Sequence, residues 1–258
     1  MMISDVQVAS SKNLVQTYIR LGLATPHATW SREEGFDVCL GTLDHPICNF
    51  AADLNLDPWS ARKLAGIAQS RPCFNVYAVT GDRPAYVDEL LQNAGFMVAY
   101  RLVQLVAEPI GAEVWETMDS CGPEDRLSVA CFMVDQFFSQ RPKEFRMAIA
   151  AATAAAPGVE LYRAGEKSRH VAAVMLSETP GMLGGYNLCV APASRGRGIG
   201  SSLVRWVVAE AGNRGLLATI QCEPHLESWY QSLGFERTGW LNVYQLPKAQ
   251  ASDTIEVT

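Results

Sequence analysis

The sequence predicts an α/β layered chain organised as two similar halves, and three observations point that way. From Tyr186 to Leu246 the apolar pattern runs strand, glycine-rich loop, helix, strand, helix, strand. Leu91-Gln92-Asn93-Ala94-Gly95-Phe96 is echoed by Tyr230-Gln231-Ser232-Leu233-Gly234-Phe235, with Gly95 and Gly234 139 positions apart. Gln104-Leu105 is echoed in turn by Gln245-Leu246, at an offset of 141. The length of 258 residues exceeds one typical small domain, and each half can bury its own core.

The elements follow in chain order. Met1 to Asn13 is polar and lacks the apolar core of a signal peptide. Ala61 to Ser70 reads as a helix and Phe74 to Val79 as a strand. The second half opens near Gly111 with a strand over Val114 to Met118. Leu127 to Phe138 and Lys143 to Ala156 read as helices split by Ser139-Gln140-Arg141-Pro142. Val159 to Arg163 and His170 to Ser177 form an antiparallel pair about the turn Ala164-Gly165-Glu166-Lys167. Tyr186 to Val190 is a strand stopped by Pro192. Leu203, Val204, Val207, Val208 and Ala211 mark one helix face, closed by Gly212 and Gly215. Leu216 to Cys222 is a strand, Leu226 to Leu233 a helix, and Phe235 to Leu246 a final strand pair. Pro247 to Thr258 is a polar tail, expected to fray.

Composition excludes several classes. With 48% apolar and 19% charged residues the chain is an ordinary globular protein. A net charge of −6 argues against a nucleic-acid-binding surface. The longest small-apolar run, Met147 to Ala156, is about half of what a bilayer requires. The seven cysteines form no C-x-x-C pair and the four histidines no H-E-x-x-H, so no metal site is expected. Reduced thiols in a soluble, cytoplasmic protein are the reading.

The densest chemistry lies in Ser194-Arg195-Gly196-Arg197-Gly198-Ile199-Gly200. Alternate glycines directly before a helix open the backbone and aim unpaired amides and the positive dipole end outward. Such a site suits a phosphate or pyrophosphate, with Arg195 and Arg197 adding charged donors. Thr179 to Ala209 holds no Asp or Glu in 31 residues. A Walker loop would need Gly-Lys-Ser/Thr, and Ser201 follows Gly200 without a lysine. A dinucleotide fingerprint would want glycine at 201, although Glu223 supplies a downstream acid.

Leu188-x-Val190-x-Pro192-x-x-Arg195-Gly196-x-Gly198-Ile199-Gly200, followed by Trp229-Tyr230-x-x-Leu233-Gly234-Phe235, resembles the GNAT superfamily of N-acetyltransferases. The resemblance covers about Gly111 to Leu246 and reaches the first half only through the repeat. It implies two GNAT-like domains, each a mixed, mostly antiparallel twisted sheet flanked by helices. Residues 1–108 would be a degenerate, non-catalytic copy, 109–247 the acetyltransferase domain, and 248–258 a flexible tail. The backbone of Leu188, Cys189 and Val190 would face the acyl group and pantetheine arm of acetyl-CoA. Amides from Arg195 through Gly196, Arg197, Gly198, Ile199, Gly200 and Ser201 would hold its pyrophosphate. Tyr230 would be a general acid for the leaving thiolate.

Many family members carry asparagine where this chain has Glu223, which weakens that cofactor contact and offers a carboxylate as base. Glu178, at the end of an earlier strand, is a second candidate base. His225 after Pro224 reads as a solvated residue. In the first copy Leu91 stands where Tyr230 stands, and the loop is replaced by Leu56-Asp57-Pro58-Trp59-Ser60-Ala61. The expected activity is acetyl transfer from acetyl-CoA, as co-substrate, to a primary amine of a small molecule or peptide by direct attack. The rivals are a non-catalytic acyl-CoA sensor and a Rossmann-type nucleotide-binding protein. No metal, nucleic acid or membrane is expected as a partner, and the assembly is a monomer with pseudo-dimeric halves or a homodimer. Neither Trp59, Trp115 nor Phe137-Phe138 specifies the acceptor.

Overall fold

A computed structural model describes residues 3–109, 118–166 and 169–247. The expected strand over Val114 to Met118, Met118 excepted, and most of the tail lie outside them, as do Lys167 of the turn and Trp115. The order is α1 (Ile3–Leu23), β1 (Thr29–Glu33), β2 (Phe36–Leu40), β3 (Asn49–Ala52), α2 (Pro58–Gln69), β4 (Asn75–Val79), α3 (Val87–Asn93), β5 (Met97–Ala107) and β6 (Asp119–Ser120). It continues with α4 (Arg126–Phe138), α5 (Lys143–Ala155), β7 (Val159–Glu166), β8 (Arg169–Thr179), β9 (Met182–Val190), α6 (Ile199–Asn213), β10 (Leu217–Cys222), α7 (Glu227–Gln231) and β11 (Glu236–Gln245).

The strands form one 11-stranded sheet in the order β1-β2-β3-β4-β11-β5-β10-β9-β8-β7-β6. Only β3–β4 and β9–β10 are parallel, the two pairs whose connections contain α2 and α6. The chain thus lays down the same sequence twice. β1-β2-β3-α2-β4-α3 is matched by β7-β8-β9-α6-β10-α7 in direction, pairing and helix placement.

The two wings do not close separately. β5, the last strand of the first half, pairs with β10 of the second over 103–107. β11, the last strand of the second half, pairs with β4 of the first over 241–244. The exchanged strands also pair with each other, from Glu236↔Val106 to Gln245↔Met97. The sequence predicts a strand pair over Phe235 to Leu246; the structure has one strand there, and its partners come from the other half. Each core therefore mixes the halves. Val103, Leu105 and Ala107 of β5 pack with Leu203, Val207 and Ile220, while Tyr244 of β11 packs with Phe36, Leu64 and Leu91.

Helices cover both faces. α2 and α3 cover one wing, α6 and α7 the other, and on the opposite face α4 and α5 lie over β7, β8 and β9. α1 spans both wings on that second face, with Leu14 and Val15 packed on Phe50, Tyr77 and Val243. Its buried side is also polar. Ser10, Ser11, Asn13 and Thr17 are at most 6% exposed, and each finds a partner. Ser10 Oγ meets Thr219 Oγ1 at 2.7 Å, Ser11 Oγ donates to Thr80 O, and Asn13 Nδ2 donates to Ser177 O and Thr179 Oγ1. Tyr186 donates its hydroxyl proton to Asn13 Oδ1 at 2.6 Å. Gly184 allows this approach, because a Cβ there would collide with Asn13 Oδ1.

Candidate active site

Two segments that the sequence singles out meet at one end of the second wing. β9 and β10 pair in parallel only from Met182↔Leu217 to Gly185↔Ile220. β9 then runs on to Val190 beside β8, and β10 to Cys222 beside β5, with no further pairing between them. The strands splay, and the backbone of Leu188, Cys189 and Val190 keeps an edge without a ladder partner toward the gap. A bulge helps to turn β9 away: Asn187 and Leu188 oppose Val174 alone, and Asn187 holds φ +49°.

The glycine loop closes the mouth of this gap. Pro192–Ser194 make a short 3₁₀ turn, Gly196 and Gly198 take φ +74° and +80°, and α6 starts at Ile199. No side chain caps this helix. Its first backbone bond in the described set is Ser202 N to Gly198 O, leaving the amides of Ile199, Gly200 and Ser201 for an external acceptor. A Cβ built on Gly196 or Gly198 meets nothing within 4 Å, so open space lies before the helix. Arg195 is tied back by Nε to Val190 O at 3.0 Å. Arg197 is exposed and, among the described residues, makes no ion pair.

α7 packs against the start of α6: a Cβ on Gly200 would lie 3.8 Å from the Trp229 ring and 4.0 Å from Val190 Cγ2. Tyr230 is 7% exposed, edge-on to Trp229 and Phe235. Burial, with Cys222 beside it, raises its pKa above the ordinary phenol value, so the hydroxyl stays protonated. Among the described residues no hydrogen bond reaches that hydroxyl.

Of the two carboxylates, Glu223 lies next to this cluster and Glu178 does not. Glu223 ends β10, about two-thirds exposed, and meets His225 Nδ1 at 3.1 Å. Glu178 pairs with Leu183 near the start of β9, so the strand's length separates it from the splay. There it joins Glu160 and Glu210 around Arg214, at 3.2, 2.6 and 2.8 Å.

The first wing repeats the elements and lacks the opening. β3 and β4 pair at Phe50↔Asn75 and Ala51↔Val76, and their ends are then stitched together. Asn55 bridges Arg83, Leu56 N donates to Arg83 O at 2.8 Å, and Arg83 N donates to Leu54 O at 2.9 Å. The Asp82 carboxyl, half-buried and raised to about 7 chiefly by desolvation, accepts from Val79 N and Leu54 N. At the start of α2, Asp57 Oδ1 accepts from the amides of Trp59 and Ser60 at 2.9 and 2.7 Å. A carboxylate of the chain itself fills the place that α6 leaves open.

A cavity of about 1140 Å³ lies between the wings on the face of α1, α4 and α5. It reaches Asn187 on β9 and Tyr100 on β5, the strands that flank the gap once β10 has ended. Tyr18 and Tyr77 form part of its wall, their rings 4.7 Å apart. No local sequence signal marks this wall, because its rings come from α1, β4 and β5, far apart in the chain. α1 shows no continuous apolar stripe, because its buried face carries serine, asparagine and threonine among the leucines.

Residues 157–237 match the family model described as an acetyltransferase (GNAT) domain. No curated protein sequence matches the chain. Among solved structures, a GCN5-related N-acetyltransferase from Kribbella flavida superposes with a TM-score of 0.68 at 15% identity, over 95% of this chain and 98% of that one. An acetyltransferase of the GNAT family from Novosphingobium aromaticivorans gives 0.58 at 18% identity, over 84% and 91%. A tandem GNAT protein from the clavulanic acid biosynthesis pathway gives 0.60 at 13% identity, over 85% and 83%. Among the described residues no helix is long and apolar enough to cross a membrane, and no group of three or more His, Cys, Asp or Glu could hold a metal ion.

Proposed function

We propose that this chain, which carries a GNAT acetyltransferase domain at residues 157–237, transfers an acetyl group from acetyl-CoA to an amine by direct attack. One observation carries the reading: an uncapped helix start with two left-handed glycines stands at the mouth of a splayed parallel strand pair. These residues fit an acyl-CoA. The amides of Gly196 through Ser201 and the Arg197 guanidinium would hold the pyrophosphate, and the free edge of Leu188 to Val190 would hold the pantetheine amides. Bound there, acetyl-CoA supplies an activated thioester.

The chain's own residues supply the rest. Unpaired amides of β9 offer donors toward an acyl oxygen. Tyr230 offers a hydrogen bond to the leaving sulfur. Its raised pKa makes it a weaker acid than a thiol, so it stabilises the sulfur by hydrogen bonding and keeps its proton at rest. Of the two candidate bases Glu223, directly after β10, is the better placed; Glu178 is held by Arg214 at the far end of β9.

Residues 1–108 serve as a non-catalytic wing, since its cleft is stitched and its helix start is filled by Asp57. Residues 109–247 bear the chemistry, and β5 of the first wing forms one side of their core.

The test is release of CoA from acetyl-CoA with a panel of small amines and peptides, followed by Tyr230→Phe. Turnover is expected to fall by about 10²-fold or more with acetyl-CoA affinity unchanged. Unchanged turnover across pH would reduce Tyr230 to packing. Tight acetyl-CoA binding without CoA release from any acceptor would favour a sensor.

A further inference from the structure

The cavity between the wings is built for one kind of acceptor, and this inference rests on the acyl-transfer reading above. We infer that the acceptor is elongated, with an apolar body between its amine and a carboxylate, and that Arg71 and Arg141 bind the carboxylate.

The argument starts from the wall. Apart from Asp44, its charged side chains are Arg71 and Arg141. Among the described residues neither guanidinium meets a carboxylate within salt-bridge distance. Arg71 spends one nitrogen on Gly41 O at 3.2 Å, which fixes the side chain and leaves its other donors free. Arg141 Cζ lies over the Phe145 ring, 5.5 Å from its centroid, a cation–π placement.

His45 lines the same cavity and adds no charge. Its ring stands edge-on to Phe138 and Phe145, at 5.7 and 4.8 Å. Burial first, and then Arg141, pull its pKa down to about 4, so it is neutral near pH 7. Nδ1 accepts from Ile47 N at 2.9 Å, which keeps the ring proton on Nε2 as a further donor. This side of the cavity is lined by the two guanidiniums, the neutral His45 N–H donor and the single carboxylate of Asp44, a net positive lining beside aromatic rings. A planar carboxylate matches the guanidinium fork.

The other end is the transfer point. Asn187 lies on β9 next to Leu188, beside the gap that the acyl group enters. Arg71 is tied to Gly41 O on the loop after β2, and Asn75 and Tyr77 of β4 line the cavity on that side, so its two ends lie on different wings. Between them the wall is phenolic and apolar: Tyr18, Tyr77 and Tyr100. A compact α-amino acid cannot present its amine at one end and its carboxylate at the other.

The experiment uses the full chain and three matched probes: 4-(4-aminobutyl)benzoate, its methyl ester, and the corresponding phosphonate. Binding is measured calorimetrically without acetyl-CoA, and CoA release is measured separately. The carboxylate is expected to bind about tenfold or more tighter than the ester. In the double variant Arg71→Gln/Arg141→Gln that preference should fall to about twofold or less, with acetyl-CoA affinity unchanged. Equal binding of acid and ester overturns the proposal, as does a preference that survives in the double variant. Tighter binding of the phosphonate overturns the carboxylate assignment. A carboxylate preference without CoA release would sink acyl transfer and leave this site standing; CoA release without the preference would do the reverse.

Discussion

Gly198→Val separates the cost to the fold from the cost to the ligand. Gly198 sits at φ +80°, and a Cβ there meets nothing within 4 Å. The penalty on folding is therefore torsional, without a steric clash. A β-branched residue held in the left-handed region costs about 2 kcal/mol, which lowers Tm by roughly 4–8 °C for a chain of this size. The ligand loses more. The added isopropyl group projects into the space before α6, where two or three amides would otherwise bind a pyrophosphate. Charge-assisted bonds contribute about 1.5–3 kcal/mol each, so losing two weakens acetyl-CoA by about 10²- to 10⁴-fold. Calorimetric titration with acetyl-CoA reads the second effect and thermal melting the first. Gly66→Ala, in the middle of α2 with open space around its Cβ, is the control and should stabilise slightly. Affinity within about threefold of the parent, alongside the expected fall in Tm, would refute the pyrophosphate assignment.

Two further outcomes follow from the fold. Asp82 holds a proton in the native state up to about pH 7, whereas the unfolded carboxyl releases it near pH 4. Native protein binds more protons in that window, so stability falls as pH rises through it, by up to about 4 kcal/mol. Asp82→Asn should flatten the slope in urea melts between pH 4.5 and 7.5, and parallel slopes would disprove it. Strand exchange predicts that residues 1–108 and 109–258, expressed apart, lack native dichroism and regain it on mixing. A monomeric, fully protected 1–108 in hydrogen exchange would count against this.

Much of the second wing was legible because its signals are local. The 3.6-residue period of Leu203, Val204, Val207, Val208 and Ala211 gave α6, all five being buried. The alternate glycines gave a left-handed loop, found at 196 and 198. The repeat at Gly95 and Gly234 marks the same helix-to-strand corner in both wings, each glycine with positive φ. What the sequence hid is non-local. Whether β11 closes on its own wing or the other depends on pairing across 160 or so positions, and the apolar pattern of Trp240 to Tyr244 satisfies either. α1 hid for a different reason: its buried serines and Asn13 bond to the sheet, which breaks the apolar stripe. Glu178 looked like a strand-end acid near the chemistry, but the strand that follows it carries the reacting segment away from it.

The exchanged strands also bear on how such a chain can change over generations. A wing that has shut its own cleft would ordinarily be free to decay or be deleted. Here it cannot be, because Val103, Leu105 and Ala107 of that wing sit against α6 and β10 of the other. Changes to its loops, its surface and its helix starts leave that packing untouched, whereas a change within the eleven residues of β5 reaches the core of the second wing. The first wing is thereby tied to the second through its last strand, and its loops are where variation would cost the shared core least.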